Sequence, residues 1–288
     1  MSDSGEMRFP LQLITILAVL SFVPAQLKGQ AATLSVDVIA AEIIEAQVKA
    51  FPIKNEERQM RAQELFQGVG CPKLLTVPVG KKPVPASIAC IFPGESRRAI
   101  LVGAHFDKVD QGEGKIDNAT GTVLLSALAR SLAGKPRKHT FIFAAFAEEE
   151  VGLKGSSAMV KQGLDGITGK EWIESISAMV NIDSVGAGPL AVASSSSDKL
   201  LAEEAFQMAE RLGLPMRAVN VDQVGASDGR TFAQKKVRVV EFHSLDNSNI
   251  QVLHSKLDNM SAFRVKEYWE AYKVIAFLLA KLDGDLDR

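Results

Sequence analysis

Residues 141–156 read "FIFAAFAEEEVGLKGS", an apolar run that stops in three consecutive glutamates. The run is apolar on both faces and short, the pattern of a strand buried between two layers. Carboxylates at its tip need a positive partner, and the neighbouring segments decide what that partner is.

Working outward, the same pattern recurs. "AILVGA" (99–104), "AMVNI" (178–182), "LAVAS" (190–194) and "VRVVEF" (237–242) are short apolar runs, and they alternate with helical periodicity over 119–132, 156–162 and 199–212. Strands apolar on both faces and alternating with helices predict an α/β protein, a three-layer α/β/α sandwich around a central, mostly parallel mixed sheet. Upstream, Val36, Ile39, Ala40, Ile43, Ile44 and Val48 recur at helical spacing, and a charged amphipathic helix is expected over 56–67. Residues 74–79 and 87–92, separated by a Lys, Pro and Gly cluster, read as a strand pair. Tyr268, Trp269, Tyr272, Ile275, Ala276 and Leu279 form the apolar stripe of a closing helix, its aromatics read as core. "SSSSD" (194–198) reads as a loop and helix N-cap.

The chain has 288 residues, 47% of them apolar, with 33 Lys+Arg against 34 Asp+Glu. That is enough for one sizeable core. A pI near 6.5 and no dense basic stripe exclude an electrostatic footprint for nucleic acid, so a small molecule or peptide is the expected partner. The first thirty residues stand apart: "FPLQLITILAVLSFVPA" (9–25) is almost uncharged, and Val23 with Ala25 supplies a small-residue cleavage pattern. Residues 1–29 are therefore expected to be a signal peptide, or alternatively an N-terminal membrane anchor, ahead of a single catalytic domain over 30–288. The expected location is outside the cytoplasm, secreted or periplasmic. Asp3 and Glu6 are at odds with a positive leader start, whereas translation from Met7 would give "MRFP". An intact 2–6 segment in precursor mass spectrometry would refute that start. Cys71 and Cys90 are the only cysteines; after export they either close a disulfide or stay two separate thiols.

In open α/β sheets chemistry gathers beyond the carboxyl ends of the strands. Those ends carry one theme here. "GAHFD" puts His105 and Asp107 two apart, on the same side of an extended chain. "KIDNATG" places Asp117 before a helix, the glutamate run occupies 148–150, "VNIDSVG" ends in Asp183, and "QVLHSKLDN" holds His254. Singly, an Asp before a helix is a cap and a glutamate run a solvated face. Jointly, two imidazoles and several carboxylates at strand exits form the N/O donor set that zinc accepts, and their mutual repulsion requires a cation. His139, in the basic stretch "GKPRKH", reads as solvated, and His243, after "VVEF", is held in reserve near the site. No "GxSxG" elbow and no "GxxxxGK" loop offers a competing chemistry.

Over residues 100–259 these motifs resemble, in order, the co-catalytic zinc aminopeptidases of metallopeptidase family 28. "AHFD" resembles the His-x-Asp element, "IDNATG" the Asp-Asp-Asn-Ala-Ser-Gly-like element, and "EEVGLKGS" the Glu-Glu-x-Gly-Leu-x-Gly-Ser element; "NIDSVG" and "HSKLD" complete the set. The resemblance implies a zinc exopeptidase fold and two zinc ions. It assigns Glu149 as general base, Glu150 as a ligand and Glu148 as a bystander. Asp117 would bridge the ions, His105 and Asp183 completing one site, Glu150 and His254 the other. Asp107 would fix the imidazole of His105. Two departures stand out: Leu253 occupies the place of a frequent Tyr, and "SDGRTF" (227–232) has Gly229 where a related "SDHxxF" loop has His. The implied activity is release of N-terminal residues from peptides. A glutaminyl-peptide cyclase, which shares this fold, and a non-catalytic scaffold of the same fold are the alternatives.

Overall fold

The computed structural model describes residues 24–27, 34–81, 85–221 and 223–286. The expected leader over 1–29 lies outside them apart from 24–27. In chain order the elements are β1 Pro24–Leu27, β2 Leu34–Asp37, α1 Ala41–Lys49, α2 Asn55–Gly68, β3 Lys73–Pro78, β4 Ala86–Phe92 and β5 Ser96–His105. A single wide turn at Lys115–Ala119 leads into α3 Thr120–Leu132, then β6 His139–Phe146, α4 Lys154–Gln162, α5 Gly169–Ser175, β7 Ile176–Ile182 and β8 Leu190–Ala193. The remainder is α6 Lys199–Leu212, β9 Met216–Val219, α7 Gly229–Ala233, β10 Val239–His243, and α8 Val265–Asp285.

Among the described residues β3–β10 form one sheet in the order β3-β4-β6-β5-β7-β10-β8-β9. Its centre is parallel: β5 pairs β6 and β7, and β7 pairs β10, all in the same direction. Antiparallel pairing is confined to β3, β4 and the β10–β8 contact. The apolar runs are this central block. Along β5, Ile100, Val102 and Ala104 turn to one face, and Ala99 and Leu101 to the other, as the period of two requires. The first face packs under α1, α2, α3, α6 and α8, the second under α4, α5 and α7, which gives the expected three layers. Each Val, Leu, Ile, Phe or Met side chain fully removed from water there stabilises by roughly 1.5–3 kcal/mol.

The closing helix behaves as read: Tyr268 and Tyr272 are buried, Tyr272 accepting from the Ile39 amide and Tyr268 donating to the Thr120 carbonyl. Asp198 caps α6 by accepting from the Leu201 amide. Cys71 and Cys90 are bridged, their Cα atoms 5.8 Å apart, tying the end of α2 to β4. Two expectations are corrected. Val36 is not on the first helix but in β2, paired with β1, and α1 begins only at Ala41. His139 is not solvated. It opens β6, fully buried, with its amide donating 2.8 Å to Asp283 of α8, so the chain already enters the core at the end of the basic stretch. No helix among the described residues is long and apolar enough to cross a membrane.

Candidate metal centre

The parallel strands of the sheet centre end at one edge, and the polar residues lie along it. His105 is the last residue of β5, in register with Phe146 of β6. The glutamates follow one residue beyond, after Ala147. Gly103 of β5 pairs with Asn181 of β7, so Asp183, two residues on, reaches the level of His105 from the other side. Asp117 comes from the wide turn that follows β5, and His254 from the loop that follows β10.

These side chains converge into two trios that share one member. His105 Nε2 lies 3.1 Å from Asp117 Oδ1 and 3.4 Å from Asp183 Oδ1. His254 Nε2 lies 3.4 Å from Asp117 Oδ2 and 2.9 Å from Glu150 Oε2. Within each trio the donor atoms lie within 4.8 Å of one another. Asp117 thus presents one oxygen to each group. All five residues expected as metal ligands are brought together.

The other expected residues take supporting places. Asp107 stands between His105 and the glutamates: its Oδ1 is 3.6 Å from His105 Nδ1 and accepts from the Glu149 amide at 3.0 Å, while Oδ2 accepts from the Glu150 amide at 3.2 Å. One residue therefore orients both: the Asp107 carboxylate holds the backbone of the glutamate pair, and the Asp107 backbone carbonyl lies 3.2 Å from His105 Nδ1. Glu148 is turned away, pairing with Lys154 at 3.2 Å. The turn that does this folds back on itself, with Leu153 N–H on Glu149 O and Gly155 N–H on Ala147 O. It needs both glycines of "GLKGS": Gly152 has φ +107, and a Cβ on Gly155 would run into the Ala147 backbone.

Two residues that sequence reasoning missed hold the frame. Asp258 is buried and accepts from the Ile116 amide at 2.6 Å and the Asp117 amide at 3.3 Å, so it positions the shared ligand. Arg58, fully buried, donates to the carbonyls of Phe106, Pro52, Glu113 and Gly114, clamping the segments that flank His105 and Asp117. Asp258 lies four residues after His254 in "HSKLD", a proximity that could have flagged it. Arg58 had no signal, since on a helix rich in charge it reads as solvent-facing.

Electrostatics show what the cluster requires. Burial pushes the Glu149 carboxyl up to about 10, the charges of Asp183, Asp228 and Asp117 adding to it and His105 opposing. Burial, then Asp117, pushes Glu150 up to about 7. Although burial opposes it, Glu149, Asp183, Asp107 and Asp117 drive His105 well above the ordinary imidazole range. The bond to Asp117, with Glu150 behind it, raises His254 to about 9. So many carboxylates in a buried site strain one another, and cations relieve that strain. Glu150 Oε1 is also buried without a hydrogen-bond partner. The N/O donor set, the shared aspartate and this orphaned oxygen fit divalent metal.

Beside the trios opens a cavity of about 710 Å³, reached by Asp117, Glu149, Asp183 and His254. Leu253 is on its wall, as is His243, which enters neither trio. His243 Nδ1 accepts from the Leu245 amide at 3.0 Å, and burial depresses the imidazole to about 4, so it is neutral with its proton on Nε2.

The sequence profile of Peptidase family M28 matches residues 87–279. Among relatives, a vacuolar membrane protease of Yarrowia lipolytica is 30% identical over 175 residues, covering 58% of this chain and 16% of that protein. A probable leucine aminopeptidase of Arthroderma otae is 34% identical over 128 residues, 40% of this chain and 34% of its own. The chain thus spans well under two thirds of the length of these relatives. A solved zinc aminopeptidase from Bacillus subtilis superposes with a TM-score of 0.60 at 24% identity, covering 68% of this chain and 49% of that one, which establishes a shared fold. With the profile running from β4 into α8 and enclosing every residue of both trios, this chain belongs to peptidase family M28.

Proposed function

We propose that the chain is a metal-dependent aminopeptidase that releases N-terminal residues from peptides, with Glu149 as its general base. The observation that carries this reading is Asp117, which offers Oδ1 to the His105 group and Oδ2 to the His254 group. His105, Asp117 and Asp183 would hold one divalent ion, and Asp117, Glu150 and His254 a second; zinc is the metal named for the Bacillus subtilis neighbour. Such a pair, when bound, lowers the pKa of water and polarises the scissile carbonyl. Glu149, beside the ligands but outside both trios, takes the proton from the attacking water and delivers it to the leaving amine. Asp107 keeps the base in place by holding its backbone amide. The relatives named as leucine aminopeptidases support the exopeptidase reading.

The test is hydrolysis of aminoacyl fluorogenic amides with and without chelator, alongside metal analysis. Metal at two equivalents and chelator-sensitive release of amino acid are expected. Cyclisation of an N-terminal glutamine peptide without amino-acid release would move the reading to the cyclase, and absence of both activities to a scaffold.

We also infer export. The Cys71–Cys90 bridge supports it, because disulfides persist in oxidising compartments. N-terminal sequencing of the mature protein is the check, and a retained Phe9–Ala25 segment would favour the anchor.

A further inference from the structure

We infer that the side-chain pocket beside the metal centre is built for a long cationic residue, so that the preferred substrates carry N-terminal lysine or arginine and Glu241 reads the charged head. The inference rests on the aminopeptidase reading and concerns only which residue that activity selects.

The pocket runs down β10. Phe242 pairs with Ile182 and Glu241 with Asn181, which brings His243 level with Asp183 at the reacting edge. Glu241 lies two residues deeper on the same face of the strand, about 6.6 Å further in. Both line the cavity. An extended lysine side chain spans about 6 Å from Cα to Nζ. A substrate whose first carbonyl lies beside Glu149 and Asp183 therefore places a cationic head, and not a shorter aliphatic tip, at Glu241. The cavity wall also carries Val221, Val224, Ala226 and Leu245, apolar surface suited to a methylene stem.

The carboxylate at the floor is set in place. Glu241 is buried, its Oε2 accepts from Ser196 Oγ, and its amide donates to Ser197 Oγ. Its Oε1 occupies the space that a side chain on Gly229 would need. The glycine that departs from the "SDHxxF" pattern is thus what admits an acid here. A second polar residue lines the same cavity: His243, buried, with Nδ1 accepting from the Leu245 amide. A buried acid in a cavity with apolar wall residues suits a ligand that carries a cation on an aliphatic stem. An N-terminal lysyl or arginyl residue is such a ligand. Arg230 is the one arginine on the described wall; it is exposed and belongs to the rim.

The test compares lysyl with norleucyl amides, which share the four-carbon stem and differ in the charge. For the zinc-loaded protein, kcat/KM for lysyl-aminomethylcoumarin should exceed that for the norleucyl substrate by roughly ten- to a hundredfold, the range of one charged hydrogen bond. Glu241→Gln should collapse that ratio toward one, and Gly229→Ala, which leaves the charge but displaces Oε1, should lower it. A wild-type preference for norleucyl, leucyl or glutaminyl substrates overturns the proposal, as does a Glu241→Gln variant that loses all substrates with the ratio unchanged. Should no aminoacyl amide be hydrolysed, the aminopeptidase reading fails separately. Calorimetric binding of lysine amide against norleucine amide then decides the pocket: tighter lysine amide upholds the charge preference, and equal or weaker binding sinks it.

Discussion

Glu149 and Glu150 are adjacent, yet only one belongs to a trio. Adjacent residues leaving a strand diverge, so one carboxylate meets His254 while its neighbour stays beside Asp183 and Asp228. Glu149→Gln should keep the metal content and lower kcat by about 10²- to 10⁴-fold; undiminished turnover would remove it as the base. Asp107 belongs to neither trio, yet its carboxylate accepts from the Glu149 and Glu150 amides at once and stands beside the His105 imidazole. Asp107→Ala should weaken metal affinity or activity by roughly 10–100-fold, read by chelator competition. Away from the site, the Ser248 hydroxyl and amide, then Arg217, hold Asp246 down at about 2. Its folded value lies below its unfolded one, so the stability it contributes is complete above about pH 4 and lost as pH falls toward 2. Urea midpoints of the wild type and Asp246→Asn should therefore differ at pH 6 and converge near pH 2; a constant gap would contradict the linkage.

At the scale of elements, the turn after β6 decides where the glutamates point. Because Gly155 closes on the Ala147 backbone, Gly155→Ala should force the turn open and cost about 1–3 kcal/mol, visible as a shifted denaturant midpoint together with lost activity. The Cys71–Cys90 bridge spans 19 positions, a loop whose closure contributes about 3 kcal/mol in the chain-entropy account. Reduction should lower the unfolding midpoint accordingly without touching the trios, which lie on other elements. The elements that sequence reading misplaced share a cause. Val36 falls at helical spacing with α1, but its backbone pairs with β1, a contact between segments that local periodicity does not register. His139 follows three cationic residues, Lys135, Arg137 and Lys138, and local composition places it with them in solvent. Inside, its amide is held by Asp283, 144 residues away on α8.

Across the whole molecule, the trios tie the exits of β5, β6 and β7 to the loops before α3 and after β10. Ions held there stabilise the folded chain by mass action, about 2.7 kcal/mol at a hundredfold excess over the dissociation constant. Stripping metal should lower the melting temperature by several degrees, and zinc should restore it. A chelator-insensitive transition would show that the edge is held without ions.

The sequence by itself determined the three layers, the parallel centre of the sheet and the identity of the polar residues at its carboxyl edge. Apolar runs with no polar face can only be buried on both sides, and their ends must lie at one edge when the connections are helices. Only the tertiary structure decided that Asp258 and Arg58 hold the segments around Asp117, and that Gly229 leaves room for Glu241. Those relations join separate segments, Arg58 to Glu113 across 55 positions and Asp258 to Ile116 across 142, or depend on the absence of a side chain, and are set by packing and backbone path rather than by local pattern.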